Sequence, residues 1–134
     1  MTRRKHVAWV HNHGDVQPRN VIMKDGQAQL FDFQNAFYGP RLLDLAEGAI
    51  EFSWGFKNPD DNDFARFDQF VEAYVKAAPL TGDEAKSLDD AVRVVGLIKF
   101  IKEVRMIKGD TNVNNLRRRR AIDLADHLIR NFKK

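Results

Sequence analysis

Three side chains with hard oxygen donors stand close together early in the chain. Asp15 and Asn20 belong to the run His13-Gly14-Asp15-Val16-Gln17-Pro18-Arg19-Asn20, and Asp32 follows twelve residues after Asn20. Carboxylate and amide oxygens suit Mg²⁺, a cation that keeps several waters and takes few protein ligands plus substrate phosphates. For such chemistry the three side chains must meet. Gly14 and Pro18 tighten the loop that carries Asp15 and Asn20. A chain reversal after Asn20 would then bring Asp32 back beside it. The expectation is one pocket that holds Asp15, Asn20 and Asp32.

The reversal is legible. Val21-Ile22-Met23 is apolar, Lys24-Asp25-Gly26-Gln27 has turn chemistry, and Ala28-Gln29-Leu30-Phe31 alternates. Asp-Gly between two apolar runs signals a hairpin, because both residues tolerate positive φ. Strands this short are not stable alone, so the hairpin is expected to lie on helices. Ahead of it, Val7-Ala8-Trp9-Val10 reads as a short extended run and residues 11–20 as a polar loop.

From Pro40 onward the pattern is helical. Proline suits a first helical turn, where its missing N–H costs nothing. Leu42, Leu43, Leu45, Ala46, Ala49, Ile50 and Trp54 make one apolar face. After a polar loop at residues 58–62, Asp63 can cap a second helix bearing Phe64, Phe67, Phe70, Val71, Tyr74 and Val75. Pro79 stops it. Thr81, with Glu84 three residues on, is a capping box that opens a long helix carrying Leu88, Val92, Val95, Ile98, Ile101, Val104 and Ile107. Gly109-Asp110 closes that helix, and a last one is expected over residues 113–132. The fold class is therefore α+β and mostly helical, a short β-hairpin packed on about four helices. A chain of 134 residues is a one-domain length, so residues 1–134 are expected to form a single domain.

The order H-G-D-x-x-x-x-N, hairpin, D-F resembles the catalytic loop and metal-binding segment of the aminoglycoside phosphotransferase and choline kinase superfamily, cousins of the protein kinases. Gly39-Pro40-Arg41-Leu42-Leu43-Asp44-Leu45-Ala46 strengthens the resemblance, which is strong over residues 10–49. It implies the C-terminal catalytic lobe of a kinase-like fold, and an ATP- and Mg²⁺-dependent phosphotransferase acting on a small hydroxyl-bearing compound. By the same resemblance Asp15 accepts or orients the proton of the acceptor hydroxyl, and Asn20 and Asp32 hold Mg²⁺ against the nucleotide phosphates. His13 stabilises the loop, and Asp44 fixes its shape from the first helix.

The chain departs from the family pattern at Gln17, where His is common, and at Arg19, where Gly is common. Gln17 can donate to a phosphate or substrate oxygen, and Arg19 can add positive charge near phosphate. Nothing in the sequence resembles the family's nucleotide-covering loop, phosphate-binding Lys or adenine hinge, all of which precede the catalytic loop. The N-terminal nucleotide lobe is thus expected to be absent, with incomplete ATP binding and poor or no transfer by this chain. The alternatives are a non-catalytic remnant or scaffold domain that keeps the fold and, behind it, a small basic nucleic-acid-binding module.

Composition narrows the remaining classes. Without cysteine there is no disulfide framework and no thiolate metal site, which fits a cytoplasmic protein. No stretch reaches bilayer-spanning length, and no signal-peptide run follows the basic start, so no membrane partner is expected. A net charge of +3 is too mild to imply nucleic acid. Arg117 to Arg120 would spread around a helix and pair with Asp123 or Asp126 instead of forming a stripe. His11 and His13 form H-x-H, but no third zinc ligand accompanies them, and a loop-structural role is favoured. Asp60, Asp61 and Asp63 read as a solvated loop. Apolar surface including Trp9 is expected to be exposed, for a small lobe or a homodimer partner to cover.

Overall fold

The computed structural model describes residues 6–53 and 64–109, with three isolated helical positions at Ile122, Ala125 and Asp126. Strand β1 (Trp9–Asn12) leads into the polar loop, which ends in a short 3₁₀ turn at Pro18–Asn20. Strands β2 (Val21–Lys24) and β3 (Gln27–Leu30) follow, then a second 3₁₀ turn at Phe33–Asn35 and strand β4 (Phe37–Pro40). Three helices complete the described chain: α1 (Leu42–Ser53), α2 (Phe64–Ala77) and α3 (Gly82–Gly109).

The expected hairpin is present. β2 and β3 pair antiparallel, with Val21 opposite Leu30 and Lys24 opposite Gln27. Its turn residues Asp25 and Gly26 both take positive φ, 51° and 74°, the backbone that a two-residue hairpin turn demands. The described helices do not cover it, however. Ile22, Met23 and Leu30 remain exposed, so the expectation that the hairpin packs on the helices is corrected. Backbone bonds at its base anchor it instead, as Phe31 N–H donates to the Asn20 carbonyl at 3.1 Å.

A second ribbon was not expected. β1 pairs antiparallel with β4, placing Trp9 opposite Pro40 and Asn12 opposite Phe37. Residues 11 and 12 are therefore strand and not loop, and Pro40 ends a strand where it was expected to open a helix. Pairing with β1 decides the conformation here, and proline is tolerated at a strand end where its nitrogen is not needed for the ladder. Arg41 N–H donates to the Ala8 carbonyl at 3.0 Å, and helix α1 begins one residue later. The observed class is α+β with two small antiparallel ribbons and, among the described residues, three helices.

The core forms where α1 lies against α2 and α3. Leu42, Leu45, Ala46 and Ile50 of α1 meet Ala91, Val92 and Val95 of α3, with Phe67, Phe70, Val71 and Tyr74 of α2 packed alongside. Burying each of the large aliphatic side chains contributes about 1.5–3 kcal/mol. Gly48 lets α2 approach, since a Cβ there would lie 2.4 Å from the Phe70 ring. The apolar stripe of α3 is buried at mid-helix, at Val92 and Val95; Ile98 and Ile101 are exposed. Trp54, the loop at 58–62, Asp63 and its capping role, and Arg117 to Arg120 lie outside the described residues, as does the last helix apart from its three isolated positions. No helix among the described residues is long and apolar enough to cross a membrane.

The capping box forms reciprocally. Glu84 N–H donates to Thr81 Oγ1 at 3.2 Å, and Thr81 N–H donates to Glu84 Oε2 at 2.8 Å. The Glu84 carboxylate, fully buried, does more than cap. It accepts Ala8 N–H at 3.0 Å and Arg41 Nε at 2.8 Å, with Arg41 Nη2 on its second oxygen. Arg41 Nη2 also reaches the Pro79 carbonyl at 2.8 Å. One buried ion pair thus ties the ribbon, the start of α1 and the start of α3. The Arg41 hydrogen bonds hold the Glu84 carboxyl at about 2 despite the opposing effect of burial, and the same pairing raises Arg41.

Candidate active site

The loop between β1 and the hairpin is built by side chains that take up its backbone N–H groups. His13 N–H and Gly14 N–H both donate to the Asp44 carboxylate, at 2.5 Å and 3.0 Å. Asp15 N–H donates to His13 Nδ1 at 3.2 Å, and Val16 N–H to Glu47 Oε2 at 3.1 Å. Four consecutive amides are satisfied without any strand or helix ladder, which is what a fixed loop over a folded core requires. Asp44 and Glu47 are three residues apart and so share one face of α1. Gly14 is needed at the bend: its φ is +77°, and a Cβ would fall 2.3 Å from the Asn35 carbonyl oxygen.

Within this loop Asp15 is only partly buried, and two amides hold its carboxylate. Gln17 Nε2 donates to Oδ1 at 2.6 Å, and Asn20 Nδ2 donates to Oδ2 at 2.9 Å while also bonding the Asp15 carbonyl at 2.9 Å. Asn20 and Gln17 are both buried. The arrangement fixes the carboxylate's direction while leaving it acceptor capacity, since each oxygen has two lone pairs.

His13, also buried, spans the loop and the hairpin. Its Nδ1 accepts from Asp15 N–H while its Nε2–H donates to the Phe31 carbonyl at 2.8 Å, the pattern of the Nε2–H tautomer. Its ring lies 4.5 Å from that of Phe33. Phe31 is therefore pinned at both ends, its N–H on Asn20 and its carbonyl on His13. Asp32 comes next, exposed and left-handed, with φ 65°. Its carboxylate and the Asn20 Oδ1 make no hydrogen bond to any described residue. Two hard oxygen donors without partners among the described residues, on segments bonded to each other, are a donor set that fits Mg²⁺. No three His, Cys, Asp or Glu side chains cluster as a metal site among the described residues.

The other candidates separate. Gln17 is turned inward onto Asp15. Arg19 is exposed and makes no hydrogen bond to a described residue. His11 and His13 do not converge: His13 is buried in the loop, while His11 sits exposed on β1 with its ring 5.3 Å from Tyr38. Trp9 is exposed, as expected, beside Tyr38 on the same ribbon.

Sequence reasoning missed Glu47 and its partner Lys99. Lys99 Nζ bridges Glu47 Oε1 at 2.8 Å and Glu51 Oε1 at 2.6 Å. Burial works against the Lys99 charge, but Glu51 and Glu47 outweigh it and its pKa is raised. The signal available was the i, i+4 spacing of Glu47 and Glu51 on α1; that a lysine 48 residues beyond Glu51 closes the cluster is a tertiary fact.

The chain matches the model of the phosphotransferase enzyme family (APH) over residues 2–86. No curated protein and no solved structure matches it. The family match spans more than half of the chain and takes in the whole loop, the hairpin, Asp32 and Asp44. This chain belongs to the phosphotransferase enzyme family.

Proposed function

We propose that the chain transfers the γ-phosphoryl group of ATP to the hydroxyl of a small molecule, in a Mg²⁺-dependent reaction, with Asp15 as the group that receives the hydroxyl. The observation that carries this reading is the Asp15 carboxylate, aimed by Gln17 and Asn20 on a loop whose amides from His13 to Val16 are taken up by side chains. A carboxylate held this way can accept the acceptor's O–H and take its proton as the oxygen bonds to phosphorus and the bond to the β-phosphate oxygen breaks, releasing ADP. Asn20 through Oδ1 and Asp32 through its carboxylate would hold Mg²⁺, which when bound neutralises charge on the phosphate oxygens. Arg19, exposed and without a partner among the described residues, would be free to meet phosphate. Positioning and charge supply most of the acceleration in such transfers, so the rigidity of the loop is itself part of the chemistry. A nucleotide donor fits a cytoplasmic setting.

The acceptor class is a small hydroxyl compound: an amino sugar, a sugar, an amino alcohol or a hydroxy amino acid. The test is acceptor-dependent ADP release, coupled to a spectrophotometric readout, across that panel with Mg²⁺ and with chelator. Turnover that needs both acceptor and Mg²⁺ and drops at least about a hundredfold in Asp15→Ala supports the reading. Turnover that Asp15→Ala leaves intact overturns it, and no acceptor-dependent release from any of the panel favours the non-catalytic scaffold.

A further inference from the structure

We infer that Glu47 is a positioning residue for the loop, setting the placement of Asp15 through the N–H of Val16, and that Lys99 on α3 holds Glu47 in place for that task. The inference rests on the phosphotransferase reading for its catalytic consequence, but the tether itself is independent of it.

The geometry is a relay across three elements. Glu47 offers Oε2 to Val16 N–H at 3.1 Å and Oε1 to Lys99 Nζ at 2.8 Å. Its side chain is 14% exposed and that of Lys99 13%, so the link runs where water competes weakly. Val16 is buried and follows Asp15 directly, and successive Cα atoms are held about 3.8 Å apart by the trans peptide. Any shift of Val16 is therefore passed to Asp15. Asp44 fixes the loop on the near side of Asp15, at His13 and Gly14; Glu47 fixes it on the far side. Without Glu47 the loop is held by the Asp44 bolt, by the His13 ring on the Asp15 N–H, and by the side-chain amides of Gln17 and Asn20, all of which lie on the near side of Val16 or move with the loop.

A plain helix-to-helix ion pair would also explain Lys99 with Glu47 and Glu51. It does not explain why Glu47 turns its second oxygen to the loop. The two accounts part at Glu51, which shares Lys99 at 2.6 Å one turn farther along α1. Loss of Glu51 charge weakens the ion pair and leaves the Val16 bond standing. Loss of Glu47 removes both.

The experiment is residue-resolved amide hydrogen exchange on the 134-residue chain, with transfer kinetics beside it, for wild type, Glu47→Ala, Glu47→Gln and Glu51→Gln. In Glu47→Ala the Val16 amide should exchange about tenfold faster, the consequence of one lost hydrogen bond. Glu47→Gln, which keeps an acceptor oxygen, should recover most of that protection, and Glu51→Gln should leave it unchanged. In the kinetics Glu47→Ala should lower kcat by about ten- to a hundredfold, with KM for nucleotide shifting by less than about threefold, because placement and not binding is lost. Unchanged Val16 exchange in a folded Glu47→Ala overturns the tether. Faster exchange with undiminished kcat overturns the positioning role. A wild-type chain that transfers nothing to any acceptor counts against the phosphotransferase reading, and the exchange arm still decides whether Glu47 holds the loop.

Discussion

Asp44 Oδ2 accepts the backbone N–H of His13 at 2.5 Å, although the two residues are 31 positions apart in sequence. The second carboxylate oxygen takes the next amide, Gly14. One side chain on the first turn of α1 therefore sets the entry of the loop that presents Asp15. Replacing Asp44 with Ala leaves two partly buried N–H groups without acceptors, a loss of about 2–4 kcal/mol. Chemical denaturation should show a lower midpoint with an unchanged slope. A midpoint equal to wild type would mean that the loop is held from elsewhere.

Gly14→Ala tests the same bend from the backbone side. The position needs φ +77°, and the new Cβ would sit 2.3 Å from a carbonyl oxygen of the chain, which cannot rotate away as a flexible side chain would. Strain and displacement together should cost about 2 kcal/mol or more. The contrast is Gly26→Ala, where φ is also positive but open space surrounds the site; its cost should be about 1 kcal/mol. Thermal melts of the two variants in parallel separate the clash from the backbone strain.

The hairpin, the capping box and the helical core were legible in the sequence because each depends on neighbours within a few residues. Asp25-Gly26 carries its own turn, Thr81 and Glu84 find each other across one helical turn, and Leu42, Leu45, Ala46 and Ile50 share a face by helical period. The pairing of β1 with β4 was not legible. Neither strand has a turn linking it to the other, and Gly39-Pro40 carries the signature of a helix start. The contacts among His13, Asp15, Asn20 and Asp44 could be anticipated only because their motif resembles a known family. Glu47 and Lys99 carry no motif, and the roles of Arg41 and Glu84 beyond the cap depend on three segments meeting at one buried carboxylate.

That carboxylate gives a pH prediction. Glu84 has a folded pKa of about 2 against an ordinary value of 4.5, chiefly through its Arg41 hydrogen bonds. On acidification the unfolded chain takes up this proton first. The stabilisation is therefore complete above about pH 4.5 and is lost progressively as pH falls toward about 2. Glu84→Gln removes the titrating group and leaves Arg41 partly buried without its charge partner, which should cost about 3 kcal/mol at neutral pH. Urea midpoints measured from pH 7 to pH 2 should fall less steeply below pH 4.5 in Glu84→Gln than in wild type. Parallel acid limbs in the two proteins would show that Glu84 is not a source of acid sensitivity.

Asp32 and Asn20 allow stability and chemistry to be separated. Asn20 is buried and its side-chain amide donates twice to Asp15, so Asn20→Ala unties the loop and should lower stability by about 1–3 kcal/mol. Asp32 is exposed, and its carboxylate bonds no described residue. Its φ of 65° is a conformation that asparagine adopts nearly as readily as aspartate. Asp32→Asn should therefore leave the melting temperature within about a degree of wild type, since surface changes away from buried features move stability little. If the carboxylate holds Mg²⁺ as proposed, the same substitution removes a charged ligand and weakens the cation site. Metal titration by calorimetry should then show at least about tenfold weaker Mg²⁺ binding, and Mg²⁺-dependent turnover should fall with it. Asn20→Ala should impair both stability and turnover. A stable Asp32→Asn protein with wild-type metal affinity would remove Asp32 from the site and leave Asp15 and Asn20 to be explained by the loop alone.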